Sequence, residues 1–484
     1  MQTLARFFFP KEKIVFIDNT NAIENDELVV YSILDEQREE VSVKTNFMPQ
    51  QIQGYAAQRV NDEDKKDPEA YQKAIKETAK MSFYKAATKM TGTDLPWGIL
   101  TGIRPVKKVT AFLDKGYTDE QITLVMKNKY SAKKDKVQLA LEVAKRQQKI
   151  LKKVSPIHIG IYIGIPFCPS RCAYCSFIST SFKRAKMMVE PYLEALIDEI
   201  WYTKEIIEKI GWKPSSIYIG GGTPTSLTAS QLDQLLKVVG KAFEVGNEIE
   251  FTLEAGRPDT IDTHKLAVMK KHHVNRISIN PQTMNSQTLE KIGRNHSPDE
   301  VIKAFELARS EGFDHINADI IAGLPDETFS MYAHTLEEVQ KLKPESITAH
   351  TMSIKRSAKL HDQKDILLTQ QAQQVNKMVN YTQQFMKQHA LYPYYMYRQK
   401  NMLGNFENVG YCKTGFEGSY NIQIMEEKHS IIAMGCGGVT KIFNAHNNQI
   451  SRIFNVKEVK DYISRIEEMK QRKNMIYQYI KGSD

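Results

Sequence analysis

From Ile157 to Met352 the chain repeats one pattern: a short run rich in β-branched residues, then a longer amphipathic stretch. The runs are Ile157–Phe167, Ser216–Ile219, Ile249–Glu254, Arg276–Asn280, His315–Ala322 and Ser346–Met352. Between them, Tyr192–Ile207, Gln231–Phe243, Thr263–His272, Pro298–Gly312 and Met331–Leu342 carry apolar residues at helical spacing. Strands alternating with helices in this way pair in parallel, each crossover helix packing back on the sheet with a right-handed turn. The expected fold is α/β: a partial (β/α)6 barrel, short of the closed eight-stranded form. In parallel barrels, ligand groups gather on the loops that follow the strands. That rim would receive Cys168, Cys172 and Cys175 after the first strand and Gly220-Gly-Gly-Thr-Pro-Thr225 after the second. Glu254 closes the third strand, Gln282 follows the fourth, and Asp319 lies on the fifth, ahead of Gly323-Leu-Pro325.

The cysteines stand in Tyr162-Ile-Gly-Ile-Pro-Phe-Cys-Pro-Ser-Arg-Cys-Ala-Tyr-Cys-Ser-Phe177, a C-x3-C-x2-C loop. Soft thiolates this close select zinc or iron–sulfur, unless the three are unrelated buried cysteines. A structural zinc wants four ligands, and no further Cys or His lies nearby in sequence. A cluster held by three thiolates instead leaves one iron open to a small molecule. The chain has five cysteines, an odd number with three grouped, so a disulfide framework is not expected and a reducing cytoplasm fits. The triple glycine lets the backbone approach a ligand closely, although alone it is often only a tight turn. Glu254, a carboxylate ending an apolar strand, needs a partner. Arg257 is one candidate partner and a ligand another, and the two are compatible.

The cysteine loop resembles the hallmark of the radical S-adenosylmethionine (SAM) superfamily, and the glycine run resembles that superfamily's second motif. Arg276-Ile-Ser-Ile-Asn-Pro-Gln282, Ile292-Gly-Arg-Asn-His296 and Asn317-Ala-Asp-Ile-Ile-Ala-Gly-Leu-Pro325 extend the likeness. Together they resemble the oxygen-independent coproporphyrinogen III dehydrogenase (oxidase) family. The N-terminal part and Tyr397-Arg-Gln-Lys-Asn-Met-Leu-Gly-Asn405 resemble its HemZ-type branch. The resemblance implies a 4Fe-4S cluster on Cys168, Cys172 and Cys175, its open iron chelating SAM, and two SAM molecules per site. Tyr162, Gly221 and Glu254 would contact the first, with Tyr162 and Glu254 in catalytic roles. Tyr174, Gly222, Thr223, Gln282, Arg294, Asp319, Ser353 and Val439 would line the second. Thr223 and Gln282 could instead satisfy loop backbone, and Arg294 could pair with Asp319. The implied reaction uses a 5′-deoxyadenosyl radical to turn two propionates of coproporphyrinogen III into vinyl groups, giving protoporphyrinogen IX. A flavodoxin- or ferredoxin-type donor would supply the electron. Arg104, Arg257, Arg398 and Lys400 are candidate clamps for the substrate carboxylates.

The length of 484 residues predicts more than one domain. The expected parts are an α+β N-terminal domain over 1–152, the barrel over 153–366 and a mixed C-terminal domain over 367–484. In the first part, Ile14–Phe16 and Leu28–Ser32 read as strands and Tyr71–Met90 as a helix. The start shows too short an apolar run for a signal peptide, and no stretch is long enough to span a bilayer. A cytoplasmic monomer is expected. The formal charge of +9 admits polyanionic partners, but the basic run Lys127–Lys153 reads as the solvated face of a helix and no nucleic-acid motif accompanies it. Gly164 stands where the family usually has His, and Ser176-Phe177 replaces an additional family cysteine. Rival functions are a haem-binding chaperone of the same family and a radical SAM methyltransferase or ring-opening enzyme acting on haem. Chaperone relatives carry a His-Asn-x-x-Tyr-Trp haem motif, whereas Asn408-Val-Gly-Tyr-Cys412 has no His or Trp. Cys412 and His446 remain candidate iron ligands.

Overall fold

The computed structural model describes residues 1–10, 12–15, 28–37, 39–102, 104–152, 155–175, 179–353, 372–399 and 405–481. They form two compact units. The first is built on Met1–Leu141 and takes in Arg398 and Phe406. It is an antiparallel meander, Val29–Glu36, Glu40–Met48 and Ile52–Arg59, with the helix Pro68–Thr91 beside it. Asp67 caps that helix by accepting from the Glu69 and Ala70 amides, and Gly92 ends it in the left-handed region. Phe8, Phe9, Phe47, Phe83 and Tyr84 stack into an aromatic core. Leu28–Ser32 was expected as a strand and Val29–Glu36 is one, but Ile14 and Val15 form none and Phe16 lies outside the described residues.

The second unit is the barrel. Six parallel strands follow one another in space as in sequence: β1 (His158–Ile165), β2 (Lys213–Gly221), β3 (Glu250–Glu254), β4 (Arg276–Ser278), β5 (Ile316–Ala322) and β6 (Ser346–Thr351). The crossover helices are α1 (Val189–Ile210), α2 (Ala229–Ala242), α3 (Thr263–Lys271), α4 (Pro298–Ser310) and α5 (Phe329–Lys341). Each buries its apolar stripe: in α2 it is Leu232, Leu235, Leu236 and Val239, at the i, i+3, i+4, i+7 positions. Capping boxes start α2 at Thr228–Gln231 and α4 at Ser297–Glu300. Each buried Leu, Ile or Val contributes about 1.5–3 kcal/mol, so the repeated pattern, more than local propensity, drives the fold.

The described residues beyond 372 add their strands to the barrel sheet: β7 (Tyr392–Tyr397), β8 (Asn408–Cys412), β9 (Ile431–Met434), β10 (Val439–Asn444) and β11 (Gln449–Phe454). The strand order is β7-β8-β6-β5-β4-β3-β2-β1-β9-β10-β11. A partial barrel leaves two open edges of unpaired amides, and these strands cover both. β9 lies parallel to β1, so the turn after it, Gly435–Gly438, emerges at the same end of the sheet as the cysteine loop. On the other side, a Cβ at Gly410 of β8 would stand 1.9 Å from the Tyr395 ring. Glycine there lets Tyr395 lie flat across β8 and reach Thr348 Oγ1 on β6 at 3.2 Å.

Candidate active site at the barrel rim

The chain leaves β1 through Pro166, pairs Phe167–Cys168 briefly with Thr180–Ser181, and turns back through the cysteines. The glycine turn after β2 holds this loop at its base. The Gly222 amide donates to Ile165 O and the Thr223 amide to Phe167 O, each at 2.7 Å. A Cβ at Gly222 would stand 2.5 Å from Phe167 O, so only glycine allows the approach. Thr223 Oγ1 donates to Cys168 Sγ at 3.5 Å, which puts Thr223 on a thiol as well as on loop backbone. The far side of the loop docks on Ile292-Gly-Arg-Asn-His296: the Ala173 amide donates to Ile292 O at 2.9 Å and Ser170 Oγ to Gly293 O at 3.3 Å. Arg294 spans Gly256 O, Asn280 O and Tyr174 Oη, tying the second expected SAM-site tyrosine to the end of β4.

Inside the barrel the rings of Tyr162 and Tyr218 stack at 6.4 Å, because their strands pair them in register. Tyr420, from the helix Ser419–Glu426, stacks on Tyr218 at 4.6 Å and closes this aromatic pile. Tyr218 Oη donates to Glu254 Oε1 at 2.5 Å. Burial pushes the Glu254 carboxyl up to about 7, with Asp319 adding repulsion, against the lowering by Tyr218 and the Gly221 amide. A Cβ at Gly221 would be 3.3 Å from Tyr162 Oη, so Tyr162, Gly221 and Glu254 converge on one spot. Asp319 stands deeper toward β6. Burial opposes its ionisation, but His350, Asn317 and Thr348 together hold it below the usual carboxylate value. The Asp319–His350 distance is 3.5 Å and Asn317 Nδ2 donates to Asp319 Oδ1 at 2.7 Å.

Several pairings expected from the sequence do not form. Glu254 pairs with Tyr218 and not with Arg257, which turns away to Asp259. Arg294 is taken by backbone carbonyls and Tyr174, and Asp319 by His350 and Asn317, so they make no ion pair with each other. Of the carboxylate clamps, Arg398 is buried and donates to Leu100 O and Gly102 O inside the first unit, where Arg104 also lies; Lys400 is outside the described residues. Ser353 sits just past the end of β6, and Val439 opens β10, half-buried and paired with Phe454. Ser176-Phe177 is outside the described residues. At Gly164 a Cβ would come within 3.3 Å of Cys436 O, so the Gly435–Gly438 turn occupies the room that a larger residue would need. Tyr218 and His350 were not singled out in the sequence, yet their places on strands beside Tyr162 and Asp319 were readable from strand phase alone.

Among the described residues no three His, Cys, Asp or Glu side chains are gathered closely enough to hold a metal ion. The three thiols share one loop, and burial raises the Cys168 thiol although Thr223 and Ser179 oppose it. Drawing the sulfurs together and deprotonating them is therefore part of metal binding. Other features of the rim fit a bound group. Gln282 Oε1, Arg294 Nε and both ring nitrogens of His296 are buried with no hydrogen-bond partner. Buried polar atoms are almost always satisfied, so these orphaned atoms at the rim that carries the cysteine loop mark a place for a ligand.

A partial barrel of six parallel strands, with a three-cysteine loop after the first and a glycine turn after the second, is a radical SAM architecture. The sequence model of the radical SAM superfamily matches residues 162–339. A solved structure, the coproporphyrinogen III oxidase HemN of Escherichia coli, superposes with a TM-score of 0.53 at 22% identity, covering 67% of this chain and 73% of that one. Within the superfamily, the chain belongs to the oxygen-independent coproporphyrinogen-III oxidase-like family. It is 40% identical over 407 residues to the oxygen-independent coproporphyrinogen-III oxidase-like protein HemZ of Bacillus subtilis, covering 84% of this chain and 81% of that protein. It is also 31% identical to the heme chaperone HemW of Bacillus subtilis, over 63% of this chain and 76% of the relative. With the family come its cofactors, a 4Fe-4S cluster and SAM. No helix among the described residues is long and apolar enough to cross a membrane.

Proposed function

We propose that this protein carries out the oxidative decarboxylation of coproporphyrinogen III to protoporphyrinogen IX under anaerobic conditions, in porphyrin and haem biosynthesis. The observation that carries the reading is the convergence of the cysteine loop, the Gly221–Gly222 turn and the Tyr162–Tyr218–Glu254 group on one rim, which also carries orphaned polar atoms on Gln282, Arg294 and His296. Cys168, Cys172 and Cys175 would hold the cluster. Tyr162, Gly221 and Glu254 would bind the SAM on it, and Tyr174, Gly222, Thr223, Gln282, Arg294, Asp319, Ser353 and Val439 a second. When bound, cluster and SAM supply a 5′-deoxyadenosyl radical. Each reacting propionate would give up a β-hydrogen atom to that radical, then carbon dioxide, with one electron passing to an external one-electron acceptor, and would be left as a vinyl group. Glu254, with a carboxyl poised near neutrality, accepts hydrogen bonds from bound hydroxyl or amino groups. The tyrosine pile excludes water from the interior. A flavodoxin- or ferredoxin-type protein would be the electron donor, and the chain would act as a monomer in the cytoplasm.

The test is an anaerobic incubation of reconstituted protein with reductant, SAM and coproporphyrinogen III, with 5′-deoxyadenosine and porphyrin products identified by mass. Loss of two carbon dioxide units per macrocycle, coupled to deoxyadenosine, is the expected result. Haem bound without turnover would replace the reading with a chaperone, and a methylated or opened tetrapyrrole with a haem-modifying enzyme. For the chaperone, Cys412 is a poor iron ligand: it is sealed in a core cluster with Tyr394, Tyr395 and Ile422, and burial pushes its thiol far up. His446 lies in the turn between β10 and β11, its amide donating to Asn444.

A further inference from the structure

Arg257 follows β3 in Glu254-Ala-Gly-Arg-Pro258 and is almost wholly buried, with 3% of its side chain exposed. Asp259 grips it through both carboxylate oxygens, from Nε at 2.9 Å and Nη2 at 3.0 Å. The remaining Nη1 points at the cysteine loop. It donates to Ser170 Oγ at 3.1 Å and Ser170 O at 3.5 Å, and it lies 3.9 Å from Cys172 Sγ, within hydrogen-bond reach of sulfur. Removing a guanidinium from water costs several kcal/mol unless its donors are matched. Here one edge is matched to a carboxylate and the other is spent on a loop whose only apparent task is to carry thiols.

We propose that Arg257, aimed by Asp259, sets the reduction potential of the cluster held at Cys172. This rests on the ligand assignment above. Uptake of one electron lowers the net charge of the cluster by one, and a fixed cation at a ligating sulfur favours the reduced form. Asp259 acts in the opposite sense, partly offset because 20% of it is exposed and solvent screens it. Arg294 is a second cation beside Cys172, but its Nη1 is shared with two carbonyls and its Nη2 with Tyr174, whereas Arg257 spends its Nη1 on Ser170 and the Cys172 sulfur of the loop itself. The structure thus makes Arg257 a positioning and charge-setting residue that does not contact the substrate.

The experiment is a dithionite titration of the reconstituted protein without SAM, followed by electron paramagnetic resonance, with iron and sulfide counted for every variant. Arg257→Met is expected to lower the midpoint by at least tenfold in the one-electron equilibrium constant, about 59 mV. Arg257→Lys keeps the charge and is expected to stay within that tenfold. Asp259→Asn removes the opposing charge and is expected to raise the midpoint. A merely structural role would move Arg257→Met and Asp259→Asn in the same direction, and that result overturns the proposal, as does an unchanged midpoint in Arg257→Met. Should Arg257→Met fail to take up iron, the sign of the Asp259→Asn shift decides. Wild-type protein that cannot hold four irons, or Cys172→Ala that still does, would overturn the ligand assignment itself, a distinguishable outcome.

Discussion

Two carboxylates of the barrel unit, Glu199 on α1 and Glu254 at the end of β3, have opposite surroundings. Glu199, on α1, is fully enclosed and fully answered. Its Oε1 faces Lys473 Nζ at 3.0 Å and Asn455 Nδ2 at 2.8 Å, while Oε2 accepts from the Gly435 amide at 2.8 Å and from Tyr462 Oη at 2.5 Å. Lys473 completes the set by donating to Ala433 O at 2.7 Å. Glu254, at the end of β3, has Tyr218 and the Gly221 amide to set against its burial and the repulsion of Asp319, and its carboxyl is pushed up to about 7. A carboxylate with every lone pair matched is part of the frame. One left short of partners, in a half-buried interior, is kept for a ligand.

The comparison breaks most sharply if the frame is cut. Lys473→Met or Glu199→Ala leaves one buried charge without its partner, which costs about 3–5 kcal/mol. The Gly435–Gly438 turn, which leads into the proposed SAM-site residue Val439, hangs on Glu199 through its first amide, so SAM binding is expected to weaken along with stability. Urea unfolding of the metal-free protein measures the first effect. A loss below about 1 kcal/mol in both variants would mean that the network is not the support it resembles. Replacing both residues by Met is expected to restore part of the loss, because no lone charge then remains buried.

The second expected effect has the opposite sign. A carboxyl raised from 4.5 to about 7 on folding is protonated in the native state over a range where the unfolded chain has already ionised. Its contribution to stability is therefore present below pH 4.5 and lost as pH rises through 7. After discounting for solvent reaching a half-buried side chain, the loss is on the order of 2 kcal/mol. Glu254→Gln is expected to flatten that part of the pH profile and to stabilise the metal-free protein at pH 7.5, while abolishing tight SAM binding. A variant less stable than wild type at that pH would make Glu254 a second Glu199. Glu327 contributes to the same pH window, since burial also raises it to about 7, so the residual slope in the Gln variant is assigned to it.

The sequence carried the barrel almost strand for strand, because apolar runs and helix stripes report burial directly: β5 was expected as His315–Ala322 and is Ile316–Ala322. The cysteines and glycines were legible for the same reason, as their chemistry depends on spacing along one loop. Partners were not. Whether Arg257 meets Glu254 or Asp259 depends on which way the chain turns after Gly256, and no local pattern encodes that turn. Glu199 looked like an ordinary helix residue because its partners, Asn455, Tyr462 and Lys473, lie more than 250 residues on. The strands β9 to β11 were missed because short strands pairing at a sheet edge lack the repeat that betrayed the barrel.

The smallest effect is the most specific. Tyr218 Oη is the side-chain donor found on Glu254, and it favours the ionised form against the pull of burial. Removing it in Tyr218→Phe keeps the ring in the Tyr162–Tyr420 pile and costs about 1 kcal/mol, the net value of one hydrogen bond. The carboxyl then loses a stabilising contact in its charged state, so its midpoint is expected to move higher still. In the urea–pH profile the descending limb would shift toward alkaline pH without changing its height by more than that amount. SAM titrated at pH 6.5 and pH 8.5 would show the same displacement as weaker binding at the lower pH. A limb that stays in place would separate Tyr218 from Glu254 and leave burial alone as the cause of the raised carboxyl.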